Sequence, residues 1–167
     1  MESELNNYFY NGTKPYPGPA IFENRIELIV SLILDEIMKN DSFIMEYLVN
    51  LKEAHAYTVR HCIQVGVLSG VIGAKLGFSK VYLAELIKAG LIHDYGKAYI
   101  PSRILDKPDK LTPCEFEIIK KHPVIGYEKL QENNCFSPLI LTAVLQHHER
   151  LDGSGYPYGI KKDIGLF

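Results

Sequence analysis

The sequence predicts an all-α domain, and three observations carry that prediction. Apolar residues recur at three- and four-residue spacing along most of the chain. Two cap-and-proline signatures, Thr112-Pro113 and Ser137-Pro138, announce helix starts. No stretch alternates apolar and polar residues as a half-buried strand does. The chain has 167 residues, a length that suits one globular domain with a short appendage. A chain of that size buries about 70% of the surface exposed when it is unfolded, so a genuine core is expected.

The elements follow in order. Residues 1 to about 20 carry Asn11-Gly12, Lys14-Pro15 and Pro17-Gly18-Pro19, the chemistry of turns and linkers, and read as a flexible N-terminal arm. Residues 21–50 form a helical segment of unassigned role. In it Ile26, Ile29, Val30, Ile33, Leu34 and Ile37 share one face, and a second helix starts at Asp41 or Ser42 and runs to about Lys52. A long helix follows from about His55 to Leu76, ending at Gly77, with Val65, Leu68, Ile72 and Leu76 as its inward stripe. Ser79 caps the next helix, which carries Leu83, Ile87 and Leu91 and stops near Gly96. Pro101 and Pro108 mark a loop holding a short turn. Thr112, Pro113 and Glu115 make a capping box for a helix with Phe116, Ile118 and Ile119, which His122-Pro123 interrupts. Ser137-Pro138 opens a last helix through Ile140, Val144 and His147, and Asp152-Gly153-Ser154-Gly155 is a loop.

Composition narrows the function. With 18 Lys and Arg against 20 Asp and Glu, the net charge is -2 and the pI about 6.3. That balance argues against a binder of polymeric nucleic acid, which works through a basic excess, and leaves small phosphorylated ligands open. The longest apolar stretch, Leu28 to Leu34, is far short of the roughly 20 residues that cross a bilayer. The start, Met1-Glu2-Ser3-Glu4, is acidic where a signal peptide is basic. Cys62, Cys114 and Cys135 stand apart without a CxxC pair, as ordinary thiols in a reducing compartment do. A cytoplasmic location is expected.

Five of the six histidines fall in patterned places. His61 lies one turn before Val65 on the expected stripe. His93 and Asp94 are adjacent at a helix end. His122 follows Ile118 and Ile119 at helical spacing, and His147-His148 closes the last helix. A lone inward histidine is more often a hydrogen-bonded core residue than a ligand, by roughly three to one. Five of them with an aspartate, and few polar residues on the same faces, are better satisfied together by metal. Imidazole with carboxylate suits iron, manganese, zinc, nickel or cobalt rather than calcium or magnesium. The donors exceed what one tetrahedral ion takes, so two divalent transition metal ions are expected, bridged by Asp94. Such a pair, roughly 3.5–4 Å apart, shares an activated water and serves phosphoester displacement.

These residues resemble the HD superfamily of metal-dependent phosphohydrolases. The run His147-His148-Glu149-Arg150-Leu151-Asp152-Gly153-Ser154-Gly155-Tyr156-Pro157 is similar to the HHExxDGxGYP signature of its HD-GYP branch. His93-Asp94-Tyr95-Gly96-Lys97 resembles that branch's HDxGK, His122-Pro123-Val124-Ile125-Gly126 its HPxxG, and Tyr57-Thr58-Val59-Arg60-His61 its YTxxH. The likeness runs from about Leu51 to near the end, making 51–167 an HD-GYP-like domain. The implied fold is an HD-domain helical bundle with extra N-terminal helices.

The resemblance implies hydrolysis of cyclic di-GMP to pGpG or GMP. It implies metal ligation by His61, His93, Asp94, His122, His147 and His148, with iron or manganese as the usual ions. Lys97 would act at the scissile phosphate beside Asp94. Tyr156, Gly155 and Pro157 would shape the substrate pocket, and Glu149 and Asp152 would orient imidazoles or loop amides. Two features depart from the pattern. Members with three metals carry an acidic residue where this chain has Tyr57, so two ions are expected. Members also continue past the GYP loop into helices bearing a further aspartate ligand and basic residues. This chain stops at Asp163-Ile164-Gly165-Leu166-Phe167, as a fragment or a short variant. Two alternatives accompany the phosphodiesterase reading. One is a catalytically weak module that binds nucleotide or a GGDEF-type diguanylate cyclase partner, with homodimerisation as one way to cover the exposed end. The other is a general HD phosphohydrolase acting on mononucleotides.

Overall fold

Local signals in the chain set most of the helix ends in the computed structural model, which describes residues 19–39, 57–132 and 134–161. Among these residues there are seven α-helices, one 3-10 helix and no strand. The sole extended pairing among them is an isolated antiparallel bridge between Asp152 and Lys161. The chain divides into two compact units, Met1–Ile92 and His93–Phe167. The helix expected from Asp41 or Ser42 to Lys52, most of the N-terminal arm, and Asp163 lie outside the described residues.

The first unit contains α1 (Pro19–Lys39), α2 (Tyr57–Lys75) and α3 (Lys80–Ile92). Helix α1 begins at Pro19, inside the stretch expected to be arm, because proline is well suited to a first helical position. Ile26, Ile29, Val30 and Ile37 are its buried face, and Glu27 forms an ion pair with the buried Lys88 of α3. Helix α2 closes in a paired turn: the Phe78 amide donates to the Gly73 carbonyl and the Gly77 amide to that of Ala74, each at 3.0 Å.

The inward stripe of α2 differs from the sequence expectation. Leu68, Ile72 and Leu76 are 44%, 59% and 67% exposed, whereas Cys62, Ile63 and Val67 are buried, as are Gly66, Gly70 and Gly73. His61 is half-buried. The physical reason is close backbone approach. A Cβ added to Gly90 of α3 would lie 2.7 Å from Gly66 Cα, and one on Gly70 would lie 2.6 Å from the Ile37 side chain. The face that comes closest, not the one with the bulkiest aliphatics, is the one that packs.

The second unit carries a 3-10 helix (Tyr95–Tyr99), α4 (Ser102–Leu105), α5 (Pro113–Ile119), α6 (His122–Gln131) and α7 (Pro138–Gln146). Thr112 and Glu115 form the reciprocal capping box of α5. Pro123 occupies the first turn of α6, so the chain breaks between α5 and α6 rather than bending one helix. Ser137 caps α7 by accepting from the Ile140 amide at 3.3 Å. Ile104, Leu130, Phe136, Ile140 and Val144 form its core. Gly96 and Gly126 lock the 3-10 helix against α6: a Cβ on Gly96 would fall 1.9 Å from the His122 carbonyl oxygen.

Candidate metal centre

Four side chains of the second unit converge. Asp94 leaves the turn after α3, His122 opens α6, His147 caps the end of α7, and His148 follows it. One potential ligand atom of each lies within 4.8 Å of all the others. Asp94 is 2% exposed and His122 is fully buried, so the cluster is rooted in the protein interior and opens through His147 and His148.

Hydrogen bonds fix how the rings face. The Nδ1 atoms of His122 and His147 lie 2.8 Å from the carbonyl oxygens of Ile119 and Val144 respectively, each three residues earlier. A carbonyl only accepts, so each Nδ1 is the protonated nitrogen and each Nε2 of a neutral ring offers a lone pair. Those two Nε2 atoms meet at 3.1 Å, and they lie 3.2 and 3.5 Å from Asp94 Oδ1. One proton satisfies one such contact and leaves the other donors crowded. A cation satisfies them together, and nitrogen–oxygen sets of this kind suit divalent transition metals. The donor set therefore fits a divalent metal site.

His93 completes the surround. Its Nε2 is 3.3 Å from Asp94 Oδ2, and its ring stands edge-on to His147 with centroids 4.9 Å apart. Lys97, on the 3-10 helix, donates from Nζ to Asp94 Oδ2 at 2.7 Å. Burial opposes the Asp94 charge, but the close approach of the His122, His147 and His93 rings outweighs it and holds the carboxyl well below the usual range. Burial lowers His147 as well, against the pull of Asp94. His148 is pushed down to about 3 by burial and by the neighbouring His147 and His122.

The loop after α7 forms one wall. Tyr156 stacks on His148 with centroids 4.5 Å apart and planes 22° apart, and the Tyr156–Pro157 peptide is cis. Burial and the Asp94 charge push the Tyr156 hydroxyl up to about 12. The Glu149 carboxylate accepts from the Tyr158 amide at 2.7 Å and the Ile160 amide at 2.9 Å, tying the loop back on itself. Asp152 accepts from the amide and hydroxyl of Ser154 at 2.9 and 2.7 Å. Both acids thus hold loop groups rather than imidazoles. Gly155 lines the cleft described next, whereas Pro157 is absent from its lining. His61 belongs to the first unit, on α2.

A cleft of about 460 Å³ opens over His147 and His148. Sequence reasoning missed four of its lining residues, Phe116, Lys120, Arg150 and Ser154. Phe116 reads as core from its spacing, yet it is 43% exposed and sets its ring edge-on to Tyr156 at 6.5 Å. Nothing in the sequence around Lys120 distinguishes it from a solvated surface lysine.

Comparison with known proteins places this geometry. The chain is 45% identical over 129 residues to a cyclic di-GMP phosphodiesterase of Thermotoga maritima, covering 73% of this chain and 34% of that one. It is 34% identical over 146 residues to a cyclic di-GMP phosphodiesterase of Pseudomonas aeruginosa, covering 87% of this chain and 35% of that one. The chain thus spans about a third of the length of these relatives. Among solved structures, an HDG"Y"P protein from Bdellovibrio bacteriovorus shares the fold, with a TM-score of 0.74 and 23% identity over 96% of this chain and 50% of that one. Residues 44–165 match the model of the HD domain family. That match covers most of the chain and contains every histidine of the cluster: the chain belongs to the HD domain family.

Proposed function

We propose that the chain is a metal-dependent phosphodiesterase of the HD-GYP branch that cleaves cyclic di-GMP to pGpG. The observation that carries this reading is the pair of carbonyl-anchored imidazoles, His122 and His147, whose Nε2 atoms meet beside Asp94 at the foot of an open cleft. Its similarity to two cyclic di-GMP phosphodiesterases supports the choice of substrate. Asp94, His93, His122, His147 and His148 would hold the metal, two ions of iron or manganese, and His61, from its YTxxH motif, would join the set. Bound there, divalent ions supply Lewis acidity and an activated water.

The chain's own residues supply the rest. Lys97 donates to the Asp94 carboxylate and orients it, and its ammonium would meet the negative charge that develops on the phosphate being cut. Tyr156, stacked on His148 and lining the cleft, would offer a ring and a hydroxyl to the ligand. Cys62, Cys114 and Cys135, present as thiols rather than disulfides, fit a reducing compartment, the cytoplasm. Among the described residues no helix is long and apolar enough to cross a membrane.

The test is direct. Chain loaded anaerobically with manganese or iron and offered cyclic di-GMP yields pGpG, read by chromatography, and the metal-free chain yields none. Stoichiometric metal with no pGpG formed sinks the reading.

A further inference from the structure

We propose that Lys120, held over the rings of Phe116 and Tyr156, forms a second anion subsite that grips the phosphate of a cyclic dinucleotide that is not being cut. The inference rests on the cyclic dinucleotide reading above and deepens it. Such a substrate carries two phosphates, and a single centre at Asp94 engages one of them. The other lies across the ring of the ligand and needs its own cation.

Lys120 follows the last residue of α5, one helical turn beyond Phe116. Its Nζ stands 5.1 Å from the Phe116 ring centroid and 5.9 Å from that of Tyr156, within reach of both aromatic faces. Those rings hold the ammonium at the cleft wall instead of letting it range through solvent. Tyr156 is itself immobilised, stacked on His148 and carried by a loop that Glu149 ties through two amides. The cleft runs without interruption from His147 and His148 to Lys120, and its 460 Å³ falls in the range of small-ligand sites.

The two lysines near the centre are not equivalent. Lys97 is committed to the buried Asp94 at 2.7 Å, so it serves the metal end. Lys120 is paired at 2.6 Å with Glu117, whose side chain is 66% exposed. An exposed pair of that kind is weak and readily exchanged for a phosphate oxygen. Arg150 also lines the cleft but is exposed and lies 3.9 Å from Asp152, at the outer rim.

The experiment uses the full manganese-loaded chain and two variants. Lys120→Met keeps an apolar stem over the rings and removes the charge, and Lys120→Arg restores a cation. Binding is read by fluorescence anisotropy with a labelled cyclic di-GMP. Turnover is read as kcat/KM for cyclic di-GMP relative to bis(p-nitrophenyl) phosphate, a small diester with one phosphate. For Lys120→Met the dissociation constant and the KM for cyclic di-GMP rise about tenfold while kcat stays within about twofold, so the ratio falls about tenfold. Lys120→Arg recovers to within about threefold. An unchanged dissociation constant, or equal losses on the two substrates, overturns the subsite. If the wild-type chain splits the small diester yet neither binds nor cuts the cyclic dinucleotide, the substrate reading falls and takes the subsite with it. Wild-type binding that Lys120→Met leaves intact condemns the subsite alone.

Discussion

Asp94 is a charge kept inside protein, and every contact around it serves that end. Three imidazoles and one ammonium face its two oxygens, so the ionised form survives burial that otherwise favours the neutral acid. Removing it should strand those donors. Asp94→Ala is expected to lose at least one metal ion per chain by elemental analysis and to drop turnover below detection, while circular dichroism still reports helix. Unchanged metal content would count against Asp94 as a bridge. His148 makes a second prediction. Its imidazole takes a proton near 6.5 in an unfolded chain but only near 3 in the folded one, because the charged form is poorly solvated and faces two other rings. Between those values the unfolded state binds more protons. Stability of the metal-free protein is therefore greatest above pH 6.5 and falls as the pH drops toward 3. Urea midpoints at pH 7.5, 6 and 5 should decline in that order, with a shallower decline in His148→Gln. His93, Asp94, His122, His147 and His148, which the fold brings together, stood out in the sequence because they fall on helical stripes or beside helix ends. Lys120 did not, because its place is set by the rings of Phe116 and Tyr156 coming together from distant parts of the chain.

The helix ends do more for this site than the helix interiors. Asp94, His122, His147 and His148 all sit at or beside termini, where the backbone leaves groups that side chains can reach. The Gly96–Gly126 contact sets the spacing between two of those ends. A methyl at Gly96 cannot coexist with the His122 carbonyl and must drive the 3-10 helix away from α6. Gly96→Ala is expected to reduce bound metal by at least half while leaving overall helix content nearly intact, read by elemental analysis alongside circular dichroism. A variant with full metal content would show that the spacing is not critical. Caps were the most readable elements: Thr112 with Glu115, and Ser137 with Pro138, are purely local chemistry and appear where expected. The packing face of α2 was not readable from periodicity, since Val65, Leu68 and Ile72 repeat as regularly as Cys62, Gly66 and Gly70. Only the approach of α3 at Gly90 decides between them. That decision depends on a partner helix, which lies outside any local window.

For the molecule as a whole, metal binding and folding share one free energy. The donors of the candidate centre are scattered over more than fifty positions in sequence, and only the folded chain assembles them, so ligand ions stabilise the folded state by mass action. Titrating manganese into chelator-treated protein should raise the thermal midpoint continuously, with about 1.4 kcal/mol gained per bound ion for each tenfold rise in free metal above the dissociation constant. A midpoint that ignores manganese would mean the cluster takes none. The net charge of -2 neither opposes nor favours this uptake strongly, which leaves the local site to decide it. The carbonyls of Ile119 and Val144 aim two rings inward before any ion arrives. A cation reaching the folded chain would therefore meet two lone pairs already turned toward one point, with little rearrangement left to make.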